Sequence, residues 1–497
     1  MSDLRRRDFL TLLASQALPL HAAAAQRPNF VVIFADDLGY GDLACFGSQT
    51  NKTPHLDLMA REGARFTDFY VPMPFCAPSR SSMLTGRYPF RTGVTGNPAP
   101  DSGVNDIGLP PEEITIAEAL KPLGYASMCI GKWHLGHIPK FLPRTQGFDE
   151  YYGILYSNDM RPVQLVHNEK VAAYPVVQGL LTKDYTQRAL GFIEQSKERP
   201  FLLYLPHAMP HKPLAASEDF YTPETPADLY ADVIAELDWS VGQILARLQQ
   251  LGLDRNTLVV FTSDNGPWFG GSTSGLRGMK GSNWDGGTRV PMIARWPGRI
   301  PAGRTCREVS GTIDIFPTLV GLAGGKLPAD RVIDGKDIFP LMTTEGARSP
   351  HEALFAMSGP ELRVVRSGKW KLHVRTPAPG SKYMEDASGW VDPRGPDGIT
   401  IIAPFEQARP NQYPGVRTGD PAKPMMLFDL ENDPSEQHDV AAQHPDVVQR
   451  LKAYFDKIEA EAQAIPRQPR RGGAGRGIMR LKGGELRYDR EPARPLF

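Results

Sequence analysis

Hydrophobic positions along the chain alternate between two rhythms. Predominantly apolar runs of strand length occur at Phe30-Val31-Val32-Ile33-Phe34, Tyr125 to Ile130, Phe201-Leu202-Leu203-Tyr204-Leu205 and Leu258-Val259-Val260-Phe261-Thr262. Runs without polar alternation predict strands covered on both faces, as in a largely parallel sheet. Between them, apolar residues recur every third or fourth position. Tyr185, Ala189, Phe192 and Ile193 mark one helix, and Val233, Ile234, Leu237, Val241, Ile244, Leu245 and Leu248 mark a longer one ended by Gly252. Thr53-Pro54 opens a short helix that Gly63 closes, and Thr115 with Glu118 forms a capping box for a helix ending at Gly124. Strands that alternate with helices predict an α/β fold.

The rhythm changes beyond about residue 350. Leu354 to Met357, Leu362 to Val365, Lys369 to Val374 and Met426 to Leu430 are short, partly alternating runs that predict a small antiparallel sheet. Val447, Val448, Leu451, Phe455 and Ile458 lie on one face of a helix that packs against it. The Pro- and Gly-rich stretch from Thr376 to Lys423 is too long for an ordinary connection, as lids and substrate-binding loops are. From Arg467 onward Arg and Gly dominate, which reads as a solvated, disordered tail. The expected division is a leader over 1–25, a catalytic α/β domain over 26–350, a C-terminal α+β subdomain over 351–466 and the tail over 467–497.

Composition narrows the class of partners. The 497 residues carry 56 Lys plus Arg against 56 Asp plus Glu, so the chain as a whole has no pull toward nucleic acid, and any anion site must be local. Arg5-Arg6-Arg7-Asp8-Phe9-Leu10, the apolar run to Leu20 and the small residues Ala22 to Ala25 have the layout of a cleaved export signal of the Tat type. A periplasmic or secreted protein beginning near Gln26 is expected, with no membrane span. Cys45, Cys76, Cys129 and Cys306 lack metal-ligand spacing, permit one disulfide and require none.

The candidate chemistry gathers just past the predicted strands, where α/β sheets collect ligands. The first strand ends in Asp36-Asp37 and the Leu258 strand in Ser263-Asp264-Asn265-Gly266, which together offer only hard oxygen donors suited to calcium or magnesium. Lys132 and His134 follow the Tyr125 strand, and His207 and His211 follow the Phe201 strand. A glycine-rich stretch from Gly270 to Gly281, expected to be mobile, carries Lys280 and matches neither a dinucleotide nor a Walker loop. Cys76-Ala77-Pro78-Ser79-Arg80 reads as a helix start, with Pro78 in the first turn and Gly86 as the left-handed stop. Free N–H groups at that start, with Arg80 one turn on, favour phosphate or sulfate beside residue 76.

The run C-x-P-S-R-x-x-x-x-T-G-R from Cys76 to Arg87 resembles the signature of the type I, formylglycine-dependent sulfatases. The phrase Gly131-Lys132-Trp133-His134-Leu135-Gly136 resembles a second motif of that family, and His211 before Lys212-Pro213 fits its H-x-P histidine better than His207 does. Its E-G-G phrase after the lysine reads Asp285-Gly286-Gly287 here. The resemblance covers nearly the whole chain beyond the leader and is similar in detail to arylsulfatases and N-acetylgalactosamine-6-sulfatases. It implies an alkaline-phosphatase-like large mixed sheet flanked by helices, with a smaller C-terminal antiparallel sheet and helix.

It further implies that Cys76 is converted to formylglycine by a formylglycine-generating enzyme, and that Ca2+ rather than Mg2+ is held by Asp36, Asp37, residue 76, Asp264 and Asn265. In the family's chemistry the hydrated aldehyde attacks sulfur, and its second hydroxyl lets the resulting sulfate ester collapse. Carried over, Asp264 is the base for attack, His134 the base for elimination, and His211 or Lys280 the acid for the leaving oxygen. Arg80 and Lys132 hold sulfuryl charge, and Lys132, Ser157, His211 and Lys280 bind substrate. The implied activity is hydrolysis of aryl or carbohydrate sulfate monoesters. The alternatives are a phosphodiesterase or phosphonate monoester hydrolase of the same superfamily, and a non-catalytic binder of sulfated glycans.

Overall fold

The computed structural model describes residues 27–100, 106–160, 162–222, 226–379, 413–465 and 495. The expected leader, the middle of the 376–423 stretch and nearly all of the tail lie outside these residues.

Ten strands form one mixed sheet in the spatial order Arg304–Cys306, Ala64–Phe66, Met292–Arg295, Thr257–Ser263, Asn29–Ala35, Phe201–Pro206, Ala126–Ile130, Glu150–Gly153, Leu165–His167 and Lys170–Ala173. The five central strands, from Thr257–Ser263 to Glu150–Gly153, run parallel, and antiparallel pairs flank them on both sides. All four predicted apolar runs are among these five.

Burial on both faces explains why those runs show no polar alternation. Phe30, Val32 and Phe34 point into one apolar layer with Trp133, Phe148 and Leu319. Val31, Ile33 and Ala35 point into the other, against Tyr185 and Phe192 of helix Leu181–Gln195 and Val233, Leu237 and Ile244 of helix Pro226–Gln250. The capping box predicted at Thr115 and Glu118 is present on helix Ile116–Leu120, and a further turn over Lys121–Leu123 ends at the left-handed Gly124. Because the central strands are parallel, their carboxyl ends share one edge, and the segments leaving that edge carry the candidate chemistry.

A separate four-stranded antiparallel sheet, Leu354–Ser358, Glu361–Ser367, Trp370–His373 and Met426–Asp429, follows in sequence. Val447, Leu451 and Phe455 of helix Pro445–Ala464 bury themselves in its core with Leu362, Leu372 and Leu427. The four cysteines are free thiols. Among the described residues no helix is long and apolar enough to cross a membrane.

Two backbones cross closely where the Ala126–Ile130 strand delivers its motif. Gly131 has φ 129°, and a Cβ there would stand 1.9 Å from the Pro206 carbonyl oxygen. The same oxygen accepts the Lys132 N–H at 2.7 Å. Gly131→Ala therefore adds backbone strain of about 1–3 kcal/mol to a steric clash. The expected result is a lowered thermal midpoint together with lost activity, and an unchanged midpoint in a melting experiment would contradict this close approach.

Candidate active site

Cys76 opens the ten-residue helix Cys76–Thr85, entirely buried, entered from an extended Phe75 (φ −146°, ψ 147°) and closed by Gly86 at φ 70°. Pro78 stands in the first turn, where its missing N–H leaves no helical bond unmade. Asn97 Oδ1 accepts the Ala77 N–H at 2.9 Å. The Cys76 Sγ lies 3.5 Å from Asp36 Oδ1 and marks where the oxygens of a formylglycine at this position would stand. Burial pushes this thiol up from its ordinary range, outweighing the pull of Lys132 and Lys280, so the sulfur is held as a neutral thiol.

Around it, three buried carboxylates meet three buried cations. Lys132 Nζ reaches Asp36 Oδ2 at 2.5 Å, and Arg80 Nη2 reaches Asp36 Oδ1 at 3.5 Å. Arg80 also binds Asp264 Oδ2 through Nη2 at 2.7 Å and Nε at 3.1 Å, and its Nη1 donates to the Lys132 carbonyl at 2.8 Å. Lys280 Nζ lies 2.7 Å from Asp37. Asp264 Oδ1 accepts the Asp37 N–H at 3.1 Å. Burial and the neighbouring Asp264 push Asp36 up to about 7 against the pull of Lys132 and Arg80. Burial opposes the charge on Asp264 too, but Arg80, Lys132 and Lys280 outweigh it and hold that carboxyl below the usual range.

His211 closes the ring, with Nε2 3.6 Å from Asp37 Oδ2. Burial, then Lys280, Lys132 and Lys212, keep it neutral. Ser157 Oγ accepts from Lys132 Nζ at 3.0 Å and lies 3.3 Å from His211 Nδ1, so the serine stands between the two. His134, at φ 59°, hydrogen-bonds through Nε2 to the Pro98 carbonyl at 3.1 Å and leaves Nδ1 buried without a partner. Burial, Lys132 and Arg80 keep it neutral as well. His207 instead points into the core beside Ser240 and Tyr185, away from the carboxylates.

Ligand atoms of Asp36, Asp37, Cys76 and His211 lie within 4.8 Å of one another. Asn265 Nδ2 donates to Asp37 Oδ1 at 2.8 Å and to the Gly266 carbonyl, which leaves Asn265 Oδ1 buried with no partner. An orphaned carbonyl oxygen beside two carboxylates is a donor awaiting a hard cation, so the residues fit calcium.

Lys280 is delivered by a loop less free than its glycines imply. Its N–H bonds to the Pro267 carbonyl and that of Gly281 to the Pro74 carbonyl, both at 3.0 Å. Val416 exchanges backbone bonds with Leu276 and Gly278 at 3.2 Å, and Thr273 N–H reaches the Pro414 carbonyl. The stretch expected to be mobile is thus pinned by a late segment of the chain. Arg277 Nη1 donates to the Glu436 carbonyl at 2.8 Å, and Glu436 Oε2 accepts the Asp285 N–H at 2.6 Å. Lys371 Nζ bridges Asp285 Oδ1 at 2.7 Å and Glu436 Oε1 at 2.9 Å. Lys371, Glu436, Asn97 and Asn158, whose Oδ1 lies 3.1 Å from His211 Nδ1, are not among the residues the sequence singled out. Only Asn158 carried a signal, its place directly after Ser157.

The orphaned Asn265 Oδ1 makes metal binding testable apart from catalysis. Asn265→Ala should weaken Ca2+ binding, read by calorimetry on the chelator-stripped protein, by at least the roughly 10–100-fold typical of losing even an outer partner of a metal site. Unchanged affinity would remove Asn265 from the ligand set.

Comparison with known proteins agrees with this geometry. Residues 28–325 match the family described as Sulfatase, and residues 349–476 match the C-terminal region of aryl-sulfatase. The chain is 37% identical to human arylsulfatase A, covering 88% of each chain. It is 36% identical to N-acetylgalactosamine-6-sulfatase of Canis lupus familiaris, over 94% of this chain and 92% of that one. Among solved structures it is similar to Ps i-CgsB, with 29% identity and TM-score 0.72 over 89% of this chain and 94% of that chain. The phosphonate monoester hydrolase of Agrobacterium radiobacter, at 18% identity and TM-score 0.57 over 88% of this chain and 96% of that chain, shares the fold alone. With matches across both larger sheets and a cluster of buried cations and candidate metal ligands at the signature cysteine, this chain belongs to the sulfatase family.

Proposed function

We propose that the chain hydrolyses aryl or carbohydrate sulfate monoesters, with residue 76 acting as formylglycine. The observation that carries the reading is the placement of residue 76: a buried side chain at a helix start, its Sγ 3.5 Å from Asp36 Oδ1 and in the field of Arg80, Lys132 and Lys280, with burial pushing the thiol up. A thiol held protonated is a poor nucleophile, whereas the same position is well made for an oxygen nucleophile facing an anion. When present, the hydrated aldehyde supplies that hydroxyl, and a bound Ca2+ supplies positive charge to the sulfuryl oxygens.

The chain's own residues divide the remaining work. Asp264, kept ionised by Arg80, takes the proton of the attacking hydroxyl, and neutral His134 takes a proton in the elimination that frees sulfate. Lys132 and Arg80 hold the charge on the sulfuryl oxygens, and Ser157, between Lys132 and His211, orients the sulfate. Burial opposes the charge on Lys280, but Asp37 and the neighbouring acids outweigh it, which supports Lys280 as the protonated partner of the leaving oxygen in the resting site. His211 then positions that oxygen. The domain division at about residue 350 is supported by the two larger sheets, which share no strand among the described residues.

Two further readings concern the life of the chain. The Arg5-Arg6-Arg7 leader supports Tat export to an extracytoplasmic compartment. The signature around Cys76 supports maturation by a formylglycine-generating enzyme, with folding completed before export.

Cys76→Ala should abolish sulfate-ester turnover while leaving the melting midpoint and Ca2+ binding in place. Assayed side by side on sulfate, phosphate and phosphonate esters, the wild type should favour sulfate. Turnover that persists in the variant, or a preference for phosphonate, would sink the assignment.

A further inference from the structure

One group of side chains at the rim of the site is used by none of these roles. Trp268 stands four residues past Asp264, and its half-buried indole has Lys280 Nζ 6.0 Å and Lys212 Nζ 5.9 Å from the ring centroid. Lys280 is the ammonium that rests on Asp37, so the indole borders the catalytic pocket. Phe269 backs it edge-on, at 5.2 Å and 86°, and Tyr413 packs against Phe269 in turn. Lys212 Nζ bonds Asp159 Oδ2 at 3.2 Å. Trp268 Nε1, a donor, is buried without a hydrogen-bond partner, and Asp159 Oδ1, an acceptor, makes no bond of normal geometry, the Ser157 hydroxyl lying only near enough to help lower the carboxyl.

Buried donors and acceptors are costly to leave unmade, and each such group in a folded protein calls for a ligand or another reason. A hydroxyl both donates and accepts, so a ligand bearing several hydroxyls satisfies Nε1–H and Oδ1 together. The indole face meanwhile takes the apolar face of a ring laid on it. We propose that Trp268, Asp159 and Lys212 form the subsite for the leaving-group ring, and that this ring is a pyranose, making the substrate a carbohydrate sulfate monoester. The inference rests on the sulfatase reading above. A flat aryl group would use the indole face and leave Nε1–H and Oδ1 unpaired, whereas a sugar engages all three side chains. Asp159 is well suited to receive hydroxyls. Burial opposes its charge, but Lys212, Lys132 and Lys280 hold its carboxyl below the usual range, and an ionised acceptor binds hydroxyls more strongly.

The test is kcat/KM for para-nitrophenyl sulfate and for a panel of singly sulfated galactose, glucose and N-acetylhexosamines, in wild type, Trp268→Ala, Trp268→Phe and Asp159→Asn. Trp268→Ala and Asp159→Asn should each lower the sugar-to-aryl ratio of kcat/KM by at least about tenfold, chiefly through KM, and Trp268→Phe should recover part of the loss. A ratio unchanged in Trp268→Ala and Asp159→Asn, or a wild type that cleaves the aryl ester and no sugar sulfate, overturns the subsite. If Trp268→Ala does not fold, the near-isosteric Asp159→Asn carries the test. A wild type that cleaves phosphate or phosphonate esters but no sulfate ester at all overturns the sulfatase reading instead.

Discussion

Three carboxylates and three cations sealed at one edge of a sheet are the constraint around which the rest of this structure is arranged. Asp36, Asp37 and Asp264 face Arg80, Lys132 and Lys280 in a region closed to bulk water. Each buried ion carries a desolvation penalty of several kcal/mol, recovered only when partners and hydrogen bonds are well placed. The groups come from four distant parts of the chain. Only a scaffold that fixes all four can hold them, and parallel strands ending side by side do so.

The same balance prepares the site for its ligands. Arg80, Lys132 and Lys280 stand as counter-charges to the three acids. A calcium ion beside Asp36, Asp37 and Asn265 would take over part of that neutralisation and free Lys132 and Lys280 for an incoming anion. Removing one member leaves an uncompensated buried charge, so loss of any of these side chains affects folding and function together. Cys76 is the exception, since it is neutral and contributes position rather than charge.

Much of this was legible in the sequence because it is local. Four apolar runs announced the central strands, and the polar residues directly after them gather at one sheet edge, where Arg80 joins them from a helix and Lys280 from a loop. The capping box at Thr115 and the Pro78–Gly86 punctuation named their helices for the same reason. What stayed hidden depends on contacts between remote segments. Lys371 and Glu436 lie in the C-terminal part of the chain, yet they hold Asp285 and, through Arg277, the loop that delivers Lys280. That loop looked mobile because its glycines are visible and its Pro414–Val416 partner is far away in sequence. Of the two histidines past the Phe201 strand, His211, which the proline context favours, stands 3.6 Å from Asp37, whereas His207 is buried beside Ser240, away from the carboxylates.

The account stands on residue 76 being an aldehyde precursor rather than a reactive thiol. The most direct measurement is the mass of the peptide spanning residue 76 in preparations made with and without a formylglycine-generating enzyme, set against sulfate-ester turnover per mole of protein. The account predicts that turnover rises in proportion to the fraction carrying the lighter formylglycine and vanishes when that fraction is zero. Full turnover in a preparation whose residue 76 is entirely cysteine would contradict it.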